Sequence, residues 1–140
     1  MRDTILDKFV VITANLPTVS KVESNSRMDL LETVLSKSVF KDRYKLIEVS
    51  DFLIDETAFM VVVYNFDEVR ELIDVAKDYN QDSVLYVDSN RNCFLLGTDG
   101  ANLPMGTLKA ATKSQALEYN SYIFDSSTNQ YYLVTGEFGS

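Results

Sequence analysis

Histidine is missing from all 140 residues of the chain. Its absence removes serine–histidine and cysteine–histidine nucleophile systems, histidine-ligated zinc, and the commonest general base near neutral pH. Chemistry must then come from Asp, Glu, Lys, Tyr, backbone groups, or reactivity that the substrate brings with it. Cysteine is almost as scarce. Cys93 stands alone and cannot close an internal disulfide, which fits a reducing compartment. It falls in an apolar run and reads as a core residue rather than a nucleophile. No apolar run approaches the ~18 residues that cross a bilayer. The first stretch, MRDTILDKFVVITANL, has acids ahead of its apolar run and no small-residue cleavage site, unlike a signal peptide. The expected location is the cytoplasm.

Positive charge is also short. With 13 Lys and Arg against 21 Asp and Glu, the formal net charge is −8. That balance argues against nucleic acid and anionic membranes as partners and modestly favours a cationic ligand. The acids are dispersed along the chain rather than gathered in one run. Glycine is sparse, and the stretch GTDGANLPMG lacks the lysine–serine/threonine ending of a phosphate-cradling loop. Calcium-loop spacing of the EF-hand kind is absent as well.

The 46% hydrophobic content fits one soluble globular domain over residues 1–140, with Gly139-Ser140 reading as a cloning remnant. The most telling stretch is Phe52 to Tyr64, FLIDETAFMVVVY. Ala58 to Tyr64 is apolar at every position, as in a strand covered on both faces. Glu56 then stands at the start of the most buried strand, where shelter from solvent makes a carboxylate useful. The plain alternative is that Asp55-Glu56-Thr57 is a polar turn between two strands.

Around that stretch the chain alternates strands and helices. Phe9 to Ile12 reads as a first strand, running through Thr13-Ala14 into a polar loop, Asn15 to Ser24, that could sit beside a ligand. Ser26-Arg27-Met28-Asp29 resembles a helix start, with Met28, Leu31, Val34 and Leu35 at helical spacing behind it. Arg27 there opposes the helix dipole, so it is either exposed or held for a carboxylate or another chain. Tyr44 to Leu53 reads as the second strand, leading into the third. Asn65 and Glu68 cap a second helix through Val69, Leu72, Ile73 and Ala76. Ser83 to Val87 and Cys93 to Leu96 form a hairpin across Ser89–Asn92. Gly97 to Ser114 reads as a long irregular loop, followed by a hairpin of Tyr122–Phe124 and Tyr131–Val134. The expected fold class is α+β: a ferredoxin-like βαββαβ core with an antiparallel sheet and a C-terminal β-hairpin extension.

Several separated pieces resemble the bacteriophage S-adenosylmethionine lyases, the small enzymes long called SAM hydrolases, which protect phage DNA by destroying the host's methyl donor. These pieces are Thr13-Ala14 ending the first strand, Ser26-Arg27, Tyr44 upstream of Glu56, Gln81-Asp82-Ser83-Val84-Leu85, and Leu103-Pro104-Met105-Gly106. Together they span most of the chain, and their order and spacing carry the likeness. The resemblance implies an enzyme without metal or cofactor, and a homotrimer with active sites between subunits. The implied reaction is intramolecular: the substrate's own carboxylate attacks its γ-carbon, expelling 5′-methylthioadenosine and leaving homoserine lactone. On that reading Glu56 binds the substrate ammonium, with Tyr44 hydrogen-bonding nearby. Thr13 and Ala14 offer backbone contacts, and Gln81 is a further substrate-binding residue. Other readings remain open: a lyase for an adenylated conjugate of the same molecule, a non-catalytic trimer that binds an adenosyl ligand, or an acidic decoy of a host enzyme.

Overall fold

The computed structural model describes residues 8–136 apart from 17, 52, 53 and 120, and leaves out the side chains of 51, 54 and 55. The amino-terminal stretch before Lys8, Pro17 and the tail Glu137–Ser140 therefore lie outside the described residues, as does the Asp55 side chain. The elements run β1 (Phe9–Ile12), α1 (Lys21–Ser36), β2 (Tyr44–Asp51), β3 (Ile54–Val62), α2 (Phe66–Asp78), β4 (Ser83–Val87), β5 (Asn92–Gly97), β6 (Asn102–Ala111), α3 (Lys113–Tyr119), β7 (Ser121–Asp125) and β8 (Gln130–Thr135).

Residue alternation explains the layers. Along β3, Ala58 and Met60 belong to one buried cluster with Phe9, Ile47, Val87, Cys93, Leu108, Ile123 and Tyr132. Phe59 and Val61 belong to another, with Val10, Ile12, Met28, Leu31, Leu35, Val69, Leu72 and Ala76. Successive strand residues point to opposite faces, so the clusters occupy the two sides of one wall. Helices α1 and α2 pack on the outer side, and the first cluster fills the inside. This is why the run from Ala58 is apolar at every position, and each such side chain contributes roughly 1.5–3 kcal/mol by leaving water. The run ends at Tyr64, past the strand, which is 65% exposed.

The expectation of a ferredoxin-like sheet is overturned. The strands form a closed barrel in the order β1-β3-β2-β7-β8-β6-β5-β4, with β4 pairing back onto β1. Every neighbouring pair is antiparallel. The first six elements come in the expected order, and β4, β1, β3 and β2 are neighbours. The sheet does not stop there. The stretch Gly97–Ser114, expected as a loop, contains strand β6, which pairs with both β5 and β8. The final hairpin is consequently part of the wall, with β7 bonded to β2. Closure removes the exposed edges that an open sheet would have to protect.

Helix α1 also starts earlier than expected. Ser20 is its N-cap and its hydroxyl accepts from the Glu23 amide at 3.1 Å, so Ser26 lies inside the helix. Two serine-x-x-acid patterns follow one another here, Ser20 to Glu23 and Ser26 to Asp29, and the upstream one forms the cap. The Asn65–Glu68 cap on α2 forms as expected, at 3.0 Å.

Candidate active site

The connection from β1 to α1 leaves the wall at Ile12 and is tied down within three residues. Thr13 Oγ1 donates to the Thr57 carbonyl at 2.9 Å, and Asn15 Nδ2 donates to the same oxygen at 2.8 Å. From the other side, Gln81 Nε2 donates to the Asn15 carbonyl at 2.8 Å. Arg27 Nε donates to the Ala14 carbonyl at 2.7 Å, and its Nη2 donates to the carbonyl of Tyr79 at the end of α2. Arg27 is thus neither simply exposed nor paired with a carboxylate; it clamps two backbone carbonyls. The loop so held, together with the start of α1, walls a cleft of about 610 Å³ along β2, β3 and β7. Asn15, Lys21, Glu48, Glu56, Thr57 and Tyr122 are among its lining residues.

The strand register separates the two acids that line the cleft among the described residues. Val49 faces Glu56 across β2 and β3, and Glu48 faces Thr57. By alternation Glu56 shares the barrel side of β3 with Ala58 and Met60, near the barrel's end. Glu48 shares the outer side with Thr57. Glu56 is half-buried and makes interactions within the fold, whereas Glu48 is exposed. Among the described residues Glu48 has no hydrogen bond or ion pair. Tyr122, opposite Ser50, stands on the outer side too, its ring edge-on to Tyr131 with centroids 5.4 Å apart.

The other expected site residues fall differently. Tyr44 pairs with Val61 and packs edge-on against Phe59, with ring centroids 5.6 Å apart. It therefore lies five residues along β2 from the partner of Glu56, roughly 17 Å, and on the opposite face of the wall. Burial raises its pKa above the ordinary tyrosine value, with Glu32 adding to the effect. Thr13 and Ala14 support the cleft from beneath. Ala14 is fully buried, its amide donating to Met28 Sδ at 3.4 Å and its carbonyl accepting from Arg27. Gln81 touches the cleft only through the Asn15 backbone. Cys93 is buried and its thiol is pushed up to about 12 by desolvation and by Asp88, which fits a core residue. Glu48, Lys21 and Tyr122 were not among the expected site residues. The alternation Leu46-x-Glu48-x-Ser50 was the available signal for Glu48, but only the pairing partner shows which face it occupies.

A model of the S-adenosylmethionine lyase family matches residues 51–135. The chain belongs to the S-adenosylmethionine lyase family. The matched stretch runs from the end of β2 to the end of β8 and includes Glu56, Gln81 and Tyr122, while Thr13, Ala14, Tyr44 and Glu48 precede it. No curated protein matches the sequence. Membership makes the chain a lyase of S-adenosylmethionine in the general sense. Among the described residues no group of three or more Cys, Asp or Glu is placed to hold a metal ion. No helix among them is long and apolar enough to cross a membrane.

Proposed function

We propose that this lyase cleaves S-adenosylmethionine to 5′-methylthioadenosine and homoserine lactone, without metal or cofactor, in the cleft bordered by β2, β3 and β7. The substrate's carboxylate oxygen attacks its own γ-carbon, a C–O bond forms, and the γ-carbon–sulfur bond breaks. The bonding pair stays on sulfur, which becomes a neutral thioether, and no proton has to move. A chain without histidine suits such a reaction, because both the nucleophile and the leaving group belong to the substrate. The protein's task is to hold the folded, reactive conformer, an effect worth about 7–11 kcal/mol in favourable cases. Glu56 binds the ammonium group and so orients the methionine portion. The observation that carries this reading is that Glu56, inside the segment matched to the family, lines the cleft.

A homotrimer with sites between subunits belongs to the same proposal. Tyr44 lies roughly 17 Å along β2 from the partner of Glu56 and does not line the cleft, so it reaches a substrate held by Glu56 only from a neighbouring subunit. Leu46 is 52% exposed on the outer side of β2, leaving apolar surface for a neighbour to cover. Turnover would deplete the methyl donor of the cell that makes the protein.

The test is incubation of purified protein with S-adenosylmethionine, without added metal, and chromatography for methylthioadenosine. Glu56→Gln is expected to lower turnover by about 100-fold or more while the protein stays folded. Undiminished turnover in that variant would remove Glu56 from the mechanism. Binding without product in the unaltered protein would favour the adenosyl-ligand-binding alternative, and turnover confined to an adenylated conjugate would reassign the substrate.

A further inference from the structure

We propose that Glu48 reads the second positive charge of the substrate, the sulfonium, and so sets the selectivity of the cleft for sulfonium compounds over neutral thioethers. The inference rests on the lyase reading above, in which Glu56 takes the ammonium. S-adenosylmethionine carries two positive groups and one carboxylate. Among the described residues the cleft presents two carboxylates, Glu48 and Glu56, and one ammonium, Lys21. The two acids are not equivalent. Glu56 is half-buried on the barrel side of β3 and already engaged within the fold. Glu48 projects from the outer side of β2, between Thr57 on β3 and Phe124 on β7, and has no partner among the described residues. Tyr122, another lining residue on that outer side, adds a ring face to which a cation is attracted.

The charge change in the reaction fixes what Glu48 does to the kinetics. The sulfonium loses its charge as the carbon–sulfur bond breaks, so a carboxylate beside it favours the bound substrate over the transition state. Such an interaction tightens binding without speeding the chemical step. Glu56 differs, since the ammonium keeps its charge throughout and its hold persists into the transition state.

The experiment compares Glu48→Gln and Glu48→Lys with the unaltered protein. KM for S-adenosylmethionine, its kcat, and equilibrium affinities for S-adenosylmethionine and for the neutral S-adenosylhomocysteine are measured at low and high salt. Glu48→Gln is expected to raise KM roughly fivefold, the scale of a partly exposed ion pair, with kcat unchanged or slightly higher. The preference for the sulfonium over the thioether falls by the same factor, and high salt narrows the difference. Glu48→Lys is expected to act in the same direction and more strongly. An unchanged preference in both variants would overturn the assignment while leaving the lyase reading intact. Loss of kcat at unchanged KM would also overturn it, because Glu48 would then act in the transition state. If the unaltered protein binds S-adenosylmethionine but never cleaves it, the lyase reading fails, and the binding preference still decides the role of Glu48.

Discussion

Asp125 is 1% exposed, and a carboxylate so placed needs partners to stay ionised. Lys45 pairs with it, and Ser127 donates to it from its amide at 3.0 Å and its hydroxyl at 2.6 Å. Burial pushes the Asp125 pKa up, but the bonds from Lys45 and Ser127 outweigh it, and the balance lies below the ordinary value of 3.8. A depressed carboxylate contributes stability that is fully present above its unfolded pKa and lost as pH falls through its folded one. Lys45→Met reverses the sign, because the carboxyl is then buried without its cation and its folded pKa rises. The variant is expected to lose roughly 3 kcal/mol at pH 7, the lower end for breaking a buried pair because Lys45 keeps some exposure. Urea unfolding at a series of pH values checks this. The deficit should shrink as pH falls through the variant's raised folded pKa and vanish only below the native protein's depressed one, where the carboxyl is neutral in every state. A deficit that stays constant across the series would mean that Lys45 acts by packing rather than by charge.

Strand β6 decides the fold, and it is the element least visible in the sequence. Leu103-Pro104-Met105-Gly106 carries the residues that ordinarily end strands. Here they make a bulge. Cys93 pairs with Gly106 and Phe94 with Pro104, so Met105 is the extra residue. Gly106 has φ +118°, and a Cβ added there would lie 1.5 Å from the Thr135 carbonyl oxygen. Gly106→Ala is therefore expected to destabilise the protein by several kcal/mol, the combined cost of a forbidden backbone region and a backbone clash. Thermal unfolding followed by circular dichroism measures it, and a melting temperature within a degree or two of the unaltered protein would show that the bulge relaxes easily. The same residues explain which elements could be read in advance. β1 and β3 contain continuous apolar runs from Phe9 and Ala58, α2 has helical spacing from Val69 onward, and their order was legible. Glu56 near the base of the buried strand was legible too. The pairing of β6 with β8 was not, because bulged strands lose the period that marks them. Short helix α3 was hidden in the same way, with Ala116 as its single buried residue. The face of Glu48 depends on its pairing partner, because Leu46 and Ile47 are both apolar and leave the local alternation ambiguous.

At the scale of the whole molecule, closure changes what one chain can do alone. A closed wall has an inside and an outside, and the register assigns Glu56 to the first and Tyr44 to the second. Tyr44 lies roughly 17 Å along β2 from the partner of Glu56 and does not line the cleft, so the two do not converge on one small ligand within one chain. If both belong to one active site, they come from different subunits, and Glu56 of one chain works with Tyr44 of the next. In a ring of identical subunits every interface is the same, so a defect in one residue disables all sites of a pure variant. Mixing two variants is different. Glu56→Gln and Tyr44→Phe chains, each impaired alone, should recover activity when unfolded together and reassembled, because some interfaces then join an intact Glu56 to an intact Tyr44. Random assembly makes about a quarter of the interfaces complete, which sets the expected recovery near that fraction of unaltered turnover. The control is the same two proteins mixed without unfolding, where subunits do not exchange. Recovery no greater than the average of the two separate variants would place both residues in sites built from single chains, or remove Tyr44 from the site altogether. Light scattering separates these outcomes from a failure to assemble, since a monomeric species would remove the shared interface on which the expectation depends.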